Sequence, residues 1–323
     1  MTIGVVVIGR NEGERLKRCL RSVSRSGATV VYVDSGSTDG SVEWTRALGV
    51  HVVELDMRSP FTAARARNAG YRRLRAQVGS VRYVQFVDGD CELDARWLEA
   101  AAAFLDERRD VGVVSGRLRE RYPGLSVYNL LCDIEWDAPI GEAKFCGGVA
   151  MMRCEALDAV GGFREDLVAG EEPELCVRLR AAGWKIWRIE EDMAVHDAAM
   201  TRFGQWWKRT MRGGFAFAQG MALHGAPPER LGVRPSLRIW LWAFGIPVGV
   251  LVLACLRTPC FFLLLLAYPV QIFRLALRGS RSPRENVVHA AFLVLAKFPE
   301  MLGQFKFAIR WLRGKPSGLF EYK

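Results

Sequence analysis

The chain has 323 residues, half of them hydrophobic, with 45 Lys or Arg and 35 Asp or Glu residues. This length and composition can form one or two packed domains, and they exclude an intrinsically disordered chain, a collagen-like repeat and a small disulfide scaffold. The net charge of +10 belongs to the C-terminal part, because residues 202–323 carry 18 basic and 4 acidic side chains and residues 1–201 carry 27 and 31. A nucleic-acid partner is therefore not expected.

The eight cysteines are scattered, without a Cys-x-x-Cys pair or a Cys/His cluster of zinc-ligand spacing. This distribution indicates buried thiols in a reducing compartment. The apolar run 3–8 has neither a basic leader nor a cleavage site, so it is not typical of a signal peptide. We expect the N-terminal half to lie in the cytoplasm.

Residues 3–116 alternate between strand and helix patterns. A helix runs through Leu16 and Val23 and ends at Gly27, and further helices are predicted near 40–48, 62–77 and 94–107. The predicted strands are 3–8, 30–33, 50–55, 83–87 and 111–115. Repeated strand–helix units imply a doubly wound, Rossmann-like α/β fold with a mostly parallel sheet. In such folds ligands bind beyond the carboxyl ends of the strands.

Residues 117–201 are less regular. A strand is predicted at 145–152, and a helix at about 173–182, with Pro173 as its first residue and Gly183 just past its end. A basic, aromatic helix follows near 203–223.

Two uncharged runs, 239–256 and 258–273, are separated by Arg257. They define hydrophobic stretches 237–256 and 258–277, each close to the roughly 20 residues that cross a bilayer. The sequence therefore predicts a membrane-associated helical region.

Pro247 and Pro269 would kink both stretches, which leaves a shallow re-entrant hairpin as an alternative to true spanning. The segment 287–312 has apolar side chains on one helical face and charged ones elsewhere, typical of an amphipathic interfacial helix. A further alternative is a soluble helical cap that buries these apolar runs.

Acidic loops follow two of the predicted strands. Asp34 and Asp39 lie in a Gly/Ser/Thr-rich turn, and Asp88 and Asp90 flank Gly89. Carboxylates at the mouth of a parallel sheet can hold a divalent cation. An ordinary Asp-Gly-Asp turn is the alternative interpretation.

Eight short motifs occur in one order along residues 2–215, and together they resemble the family 2 glycosyltransferases. The motifs are Gly9-Arg10-Asn11-Glu12, Asp34-Ser35-Gly36-Ser37-Thr38-Asp39-Gly40, Ala66-Arg67-Asn68-Ala69-Gly70, Asp88-Gly89-Asp90, Gly147-Gly148-Val149-Ala150-Met151-Met152-Arg153, Gly161-Gly162-Phe163, Gly170-Glu171-Glu172-Pro173-Glu174-Leu175 and Gln205-Trp206-Trp207-Lys208-Arg209.

The resemblance implies an inverting, nucleotide-sugar-dependent enzyme with a glycosyltransferase A fold. Its catalytic domain would be residues 1–223, with a nucleotide-sugar half of about 1–116 and an acceptor half of about 117–223. Residues 224–323 would form the membrane-associated region.

The resemblance also assigns residues to the nucleotide sugar. These are Gly9, Asn11, Glu12, Asp34, Ser35, Arg67, Asp88, Gly147, Gly148, Arg209 and Arg212. Where the family often has two adjacent acids, this chain has Asp34-Ser35, which leaves uridine versus guanosine open. The glycine pair could instead mark only a turn or bulge. The two arginines, beside Trp206 and Trp207, could instead lie on an anionic membrane.

The resemblance assigns the cofactor, Mn²⁺ or Mg²⁺, to Asp90, with His196 as a metal or diphosphate contact. A structural role is the alternative for the lone histidine. The catalytic base would be one of Glu171 and Glu172, and the resemblance selects Glu172. Alternatively, both carboxylates only stabilise the start of the helix that follows them.

The predicted protein is a glycosyltransferase of the inner (cytoplasmic) membrane, with its catalytic domain facing the cytoplasm. It would move a sugar from a nucleotide-diphosphate sugar to a lipid-linked or polysaccharide acceptor. A nucleotidyltransferase is a weaker alternative, because the Gly-rich basic loop expected around a triphosphate is missing. A non-catalytic membrane scaffold would have lost the acids, yet Asp90 and both glutamates are present.

Overall fold

The structure is a computed structural model that describes residues 3–314. The chain divides into two compact units, with the boundary between Ala199 and Met200. This division is one of packing, so the functional boundary at residue 223 stays a prediction. The ends of the two predicted domains, residues 1–2 and 315–323, lie outside the described residues.

The first unit alternates strands and helices in the predicted order. Its strands are β1 Ile3–Gly9, β2 Thr29–Asp34, β3 His51–Glu54, β4 Tyr83–Asp88, β5 Cys91–Leu93, β6 Val111–Glu120, β7 Gly141–Ala143, β8 Ala150–Arg153 and β9 Lys185–His196. Its helices are α1 Glu14–Ser24, α2 Ser41–Ala47, α3 Ala63–Gln77, α4 Trp97–Glu107, α5 Val127–Glu135, α6 Cys154–Ala159 and α7 Glu171–Ala181. The sequence analysis missed the short elements β5, β7, α5 and α6, and it assigned no strand to residues 185–191 of β9.

The strands form one nine-stranded sheet in the order β3-β2-β1-β4-β8-β6-β9-β5, with β7 paired to β9. The pairs β3·β2, β2·β1 and β1·β4 are parallel, and β8 runs antiparallel to β4 and to β6. The α/β fold class is confirmed, and the sheet is parallel in its first half and mixed beyond β4.

Strand β1 shows why an apolar run predicts the centre of this sheet. Val5 and Val7 belong to the core on one face of the sheet, and Val6 and Ile8 to the core on the other. The three valines have no exposed surface. A strand covered on both faces cannot alternate apolar and polar residues.

Two boundaries differ from their predictions. The strand predicted at 145–152 begins only at Ala150, because Gly147 has a φ of +80° that an extended strand does not allow. Helix α7 begins at Glu171, which makes Pro173 its third residue instead of its first. Proline fits there because the first four N–H groups of a helix have no partner within it.

The second unit is helical. Its elements are α8 Phe203–His224, α9 Val233–Trp240, a π-helical turn Leu241–Gly245, α10 Ile246–Leu256, a 3₁₀ segment Pro259–Leu266, α11 Ala267–Ala276, α12 Pro283–Leu295 and α13 Lys297–Leu312. Within residues 3–314, two stretches are long and apolar enough to cross a membrane, by length and composition only: Val233–Leu256 with a mean hydropathy of 2.3 and Pro259–Ala276 with 1.6.

The π-helical turn comes directly before Pro247, at the predicted kink. Ile246 donates its backbone N–H to Leu241, five residues earlier. Proline has no N–H, and its ring clashes with the carbonyl four residues before it in a regular helix. The wider π turn is one of the recognised ways in which a helix absorbs such a disruption.

The segment 287–312 forms two helices, α12 and α13, instead of the single predicted helix, with Ala296 between them. The break is explained by Pro299, which cannot donate to the carbonyl of Leu295. Helix α13 also packs closely on α8. A Cβ atom added to Gly303 would lie 2.0 Å from the carbonyl oxygen of Met211.

The predicted apolar face of α13 is not what this packing buries. Its buried residues are Pro299, Gly303 and Gln304, whereas Phe305 and Ile309 remain 39% and 47% exposed. In an apolar 18-residue segment of each of the two long stretches, only 22% and 0% of the residues are buried. A soluble cap would bury these runs, so their exposure argues against that alternative.

All eight cysteines are free thiols. Six of them are buried, but Cys255 and Cys260 are exposed. The expectation of buried thiols is therefore wrong for these two, which flank the Arg257 turn between the apolar stretches.

Candidate active site

The loop after β2 is organised by Asp34, which is 3% exposed. One carboxylate oxygen accepts a hydrogen bond from the Tyr32 hydroxyl at 2.9 Å, and the other accepts from the N–H groups of Gly36 and Ser37 at 2.9 and 2.8 Å. Ser35 is fully buried. Asp34 therefore shapes this loop, and the predicted contacts of Asp34 and Ser35 with the nucleotide stay predictions.

The loop after β1 is hydrogen-bonded to the loop after β2. Gly9 is the register partner of Asp34 in the β1·β2 pair. Asn11, in the left-handed conformation at φ +55°, donates its N–H to Ser37 Oγ at 2.9 Å and accepts the N–H of Thr38 at 2.8 Å. The two predicted nucleotide loops thus form one hydrogen-bonded surface.

Glu12 connects that surface to the loop after β4. It pairs with Arg15 at 2.7 Å, and a Cβ atom added to Gly9 or to Gly89 would lie 3.4 Å from the Glu12 side chain. Gly89 donates its N–H to the carbonyl of Ile8 at 2.8 Å. The absence of side chains at both glycines therefore lets the three loops lie together.

Arg67 of α3 bridges two acids that are far apart in sequence. Its guanidinium is 3.0 Å from Asp88 Oδ1 and 2.8 Å from Glu171 Oε1, and Arg67 is only 3% exposed. Burial alone would lower the pKa of Arg67, but the charges of Asp88 and Glu171 overcome this and raise it. Asp88 and the acidic pair of α7 are thereby brought to one place.

The glycine pair completes this arrangement. Gly147 has a left-handed backbone, as expected of a turn. A Cβ atom on Gly148 would lie 2.7 Å from Arg67 Nη2 and 3.1 Å from Asp88 Oδ2, so no larger residue fits beside the bridge without a shift. The turn interpretation therefore fits Gly147, and the approach of the sugar to Gly148 stays a prediction.

Asp90 and His196 are brought together by the β5·β9 pair, in which Cys91 is the register partner of His196. His196 Nε2 lies 3.1 Å from Asp90 Oδ1, and Asp90 is 5% exposed. The ring of Trp136 lies beside the imidazole, with 4.6 Å between centroids. Nothing in the sequence pattern pointed to Trp136, which follows a helix that the sequence analysis missed.

The side chains of this cluster suit a divalent cation. Asp90, Cys91 and His196 offer ligand atoms that lie within 4.8 Å of one another. A carboxylate oxygen and an imidazole nitrogen suit Mn²⁺, and a diphosphate could supply further oxygens.

The two candidate bases have different partners. Glu171 binds Arg67, whereas Glu172 Oε1 accepts the N–H of Cys146 at 2.5 Å and lies 3.1 Å from Cys176 Sγ. Burial, with the neighbouring Glu172, raises the pKa of Cys176 to about 11, so the thiol is protonated at neutral pH and can donate. Neither acid has as its partner a backbone N–H group of the first turn of α7. This disfavours the view that both acids only cap the helix.

Arg209 and Arg212 lie half-buried on α8 in the second unit, so their role at the diphosphate stays a prediction. Trp206 of the same motif is 5% exposed and packs against Phe292, with ring centroids 4.9 Å apart. At least this tryptophan belongs to the core of the second unit.

Comparison with known proteins identifies the kind of domain to which these residues belong. Residues 4–161 match the sequence model of glycosyl transferase family 2. The chain is 23% identical to glycosyltransferase AglE of Haloferax volcanii over 74% of this chain and 79% of that protein. It is 27% identical to the succinoglycan biosynthesis protein ExoA of Rhizobium meliloti over 78% of this chain and 83% of that protein.

Solved structures show the same fold. A mannosyltransferase of Pyrobaculum calidifontis, in complex with GDP-Man and Mn²⁺, superposes with a TM-score of 0.57 at 19% identity, covering 97% of this chain and 87% of the other. S. aureus TarS 1–349 gives a TM-score of 0.52 at 15% identity, covering 98% and 92%. Residues 4–161, just under half of the chain, therefore form a glycosyl transferase family 2 domain, and the protein is a glycosyltransferase with a glycosyltransferase A fold.

Proposed function

We propose that this glycosyltransferase inverts the anomeric centre of a nucleotide-diphosphate sugar while passing the sugar to a lipid-linked or polysaccharide acceptor of the cell surface. The observation that carries the proposal is the Arg67 bridge between Asp88, two residues from the metal candidate Asp90, and Glu171, next to the base candidate Glu172. The name of ExoA, a succinoglycan biosynthesis protein, supports a glycan acceptor.

On the donor side, Asp90 and His196 would hold Mn²⁺ or Mg²⁺. A bound divalent cation stabilises the negative charge of the departing diphosphate. Asp88, held by Arg67, would contact the ribose or the donor sugar. Gly148 has no side chain that would displace this pair, and the sugar would approach the same segment of backbone.

On the acceptor side, Glu172 would take the proton of the acceptor hydroxyl as that oxygen attacks the anomeric carbon. One of its oxygens is held by Cys146 and Cys176. That anchoring fixes the carboxylate while its other oxygen receives the proton. Fixed orientation is what a general base needs, because proton transfer depends on hydrogen-bond geometry.

The reaction is tested by incubating the purified full chain with UDP- and GDP-sugars, with Mn²⁺ added or chelated. We expect at least one donor to be hydrolysed slowly to the nucleoside diphosphate and free sugar, with Mn²⁺ required. Release of pyrophosphate from a nucleoside triphosphate would instead indicate a nucleotidyltransferase. No turnover of any donor, with or without acceptor lipid extracts, would contradict the proposal.

The membrane part of the proposal rests on charge as well as apolarity. Arg234 and Arg238 precede the uncharged run 239–256, and Arg278 and Arg284 follow the run 258–273. Arg257 alone lies between the two runs. Cytoplasmic loops carry an excess of Lys and Arg. Both flanks would then face the cytoplasm, next to soluble nucleotide sugars, and the Arg257 turn would face outward or stay within the bilayer.

The chain carries its own probes for this topology, because Cys255 and Cys260 are its only exposed cysteines within residues 3–314. If the stretches span the membrane, a membrane-impermeant maleimide should label these two thiols on intact cells, and Cys255→Ser/Cys260→Ser should remove the signal. A re-entrant hairpin should give no outside labelling.

The matched control is Ser280→Cys, an exposed position on the C-terminal flank, in the variant that lacks both natural probes. We expect this cysteine to be labelled only after the cells are permeabilised. Labelling of Ser280→Cys on intact cells would show that the proposed orientation is wrong.

A further inference from the structure

Two thiols that the proposed reaction does not use for chemistry lie beside the candidate base. Cys146, Glu172 and Cys176 offer two thiols and a carboxylate whose ligand atoms lie within 4.8 Å of one another, and all three residues are buried. We propose that these residues form a binding site for a thiophilic divalent cation, of which Zn²⁺ is the probe, separate from the Asp90 site.

The distances between the ligand atoms match those around a tetrahedral zinc ion. The two sulfur atoms are 3.8 Å apart. Two thiolates bound to one zinc at about 2.3 Å would lie roughly 3.8 Å from each other. Cys176 Sγ lies 3.1 Å from Glu172 Oε1, within a few tenths of an ångström of the roughly 3.5 Å expected between thiolate and carboxylate ligands.

The backbone already holds the ligands in this arrangement. Glu172 and Cys176 are one helical turn apart on α7, so their side chains lie on the same face. Cys146 lies on the segment between β7 and β8, and its N–H donates to the same oxygen of Glu172. The site is therefore formed by one helix and one loop of the first unit.

The chemistry of occupancy is a replacement of protons by metal. In the free protein the Cys176 thiol proton lies between the sulfur and Glu172 Oε1. On binding, both thiol protons leave as the two zinc–sulfur bonds form, and the carboxylate supplies a third ligand. Water can take the fourth position.

Occupancy would have a consequence for catalysis, and this part rests on the proposed role of Glu172. A carboxylate that binds zinc is a much weaker base, because the cation takes the electron pair that would accept the proton. Zinc should therefore inhibit transfer by a route that excess Mn²⁺ at Asp90 does not relieve.

The binding part is tested without any activity measurement. The purified full chain is titrated with Co²⁺, whose bond to thiolate gives a charge-transfer absorption, and with Zn²⁺ in weak buffer. We expect a thiolate–cobalt band that one equivalent of Zn²⁺ abolishes, and release of about two protons per zinc bound. Absence of the band in the wild-type chain would overturn the proposal.

Variants then locate the site. Cys146→Ser and Cys176→Ser should each weaken zinc binding on the order of a hundredfold and remove the band, because each deletes one ligand. Cys91→Ser is the matched control, since Cys91 is the buried thiol of the Asp90–His196 cluster. A band that is lost in Cys91→Ser but kept in the other two would place the metal at the Asp90 cluster and overturn the assignment.

The inhibition is read as the ratio of transfer rates with and without Zn²⁺, at saturating Mn²⁺. We expect this ratio to be low in the wild-type chain and close to one in Cys146→Ser and Cys176→Ser. If cobalt and zinc bind as expected but transfer is not inhibited, the metal site stands and the role of Glu172 as base fails.

Discussion

Replacing Glu172 by glutamine should lower the turnover of sugar transfer by roughly a hundredfold to ten-thousandfold, the range typical of general-base loss. The amide keeps the shape of the side chain and can still accept the hydrogen bonds of Cys146 and Cys176. It cannot take a proton from the acceptor hydroxyl. Donor binding, measured by calorimetry, should remain nearly unchanged, because Glu172 acts on the acceptor.

The control for this prediction is Glu155→Gln, which changes an exposed glutamate in the first turn of another helix, α6. It should leave turnover as it is. Normal turnover in Glu172→Gln together with loss in Glu171→Gln would move the base to Glu171. If both variants are active, the mechanism proposed for this site is wrong.

Replacing Asp90 by asparagine should lower transfer about a thousandfold, which corresponds to about 4 kcal/mol of activation free energy. The expected cause is loss of the cation that stabilises the diphosphate leaving group. Asparagine preserves the volume of this buried side chain, so the fold should persist. Binding of Mn²⁺ in the presence of a nucleoside diphosphate, measured by electron paramagnetic resonance, should weaken in parallel.

Asp94→Asn is the matched control, because Asp94 lies in the same stretch but its carboxylate contacts Arg96, accepting the backbone N–H at 2.9 Å and pairing with the guanidinium at 3.8 Å. Its activity should equal that of the wild type. His196→Ala should give a smaller loss than Asp90→Asn, since the carboxylate remains. An Asp90→Asn enzyme that keeps more than about a tenth of wild-type activity, a loss below about 1.4 kcal/mol, would refute the metal assignment.

Among the tertiary features that sequence reasoning missed, the partners of the site residues matter most. Asp90, Glu171 and Glu172 were selected from their motifs, but their neighbours were not. Trp136 beside His196 lies 60 positions away in the chain and carries no recognisable motif. Cys146 and Glu172 are 26 residues apart in the chain, and counting cysteines gives no sign that the two side chains lie together. Such contacts depend on how loops close over the sheet.

The helical unit illustrates a second reason for error. The pattern of 287–312 correctly indicated helix, yet the break at Ala296 and the close packing of Gly303 on α8 were not anticipated. Periodicity reports which residues share a face and not what that face contacts. An apolar stripe can point to lipid while small residues beside it pack against another helix.

The sequence by itself determined the strand–helix order, the burial of β1 on both faces and the acids at the ends of β2 and β4. These are local properties, because an apolar run between polar loops is readable over about ten residues. Tertiary structure decided that Arg67 joins Asp88 to Glu171, that β5 brings Asp90 to His196, and that two thiols surround Glu172. Those pairings join segments distant in the chain, and the geometry of the folded sheet alone sets the distances between them.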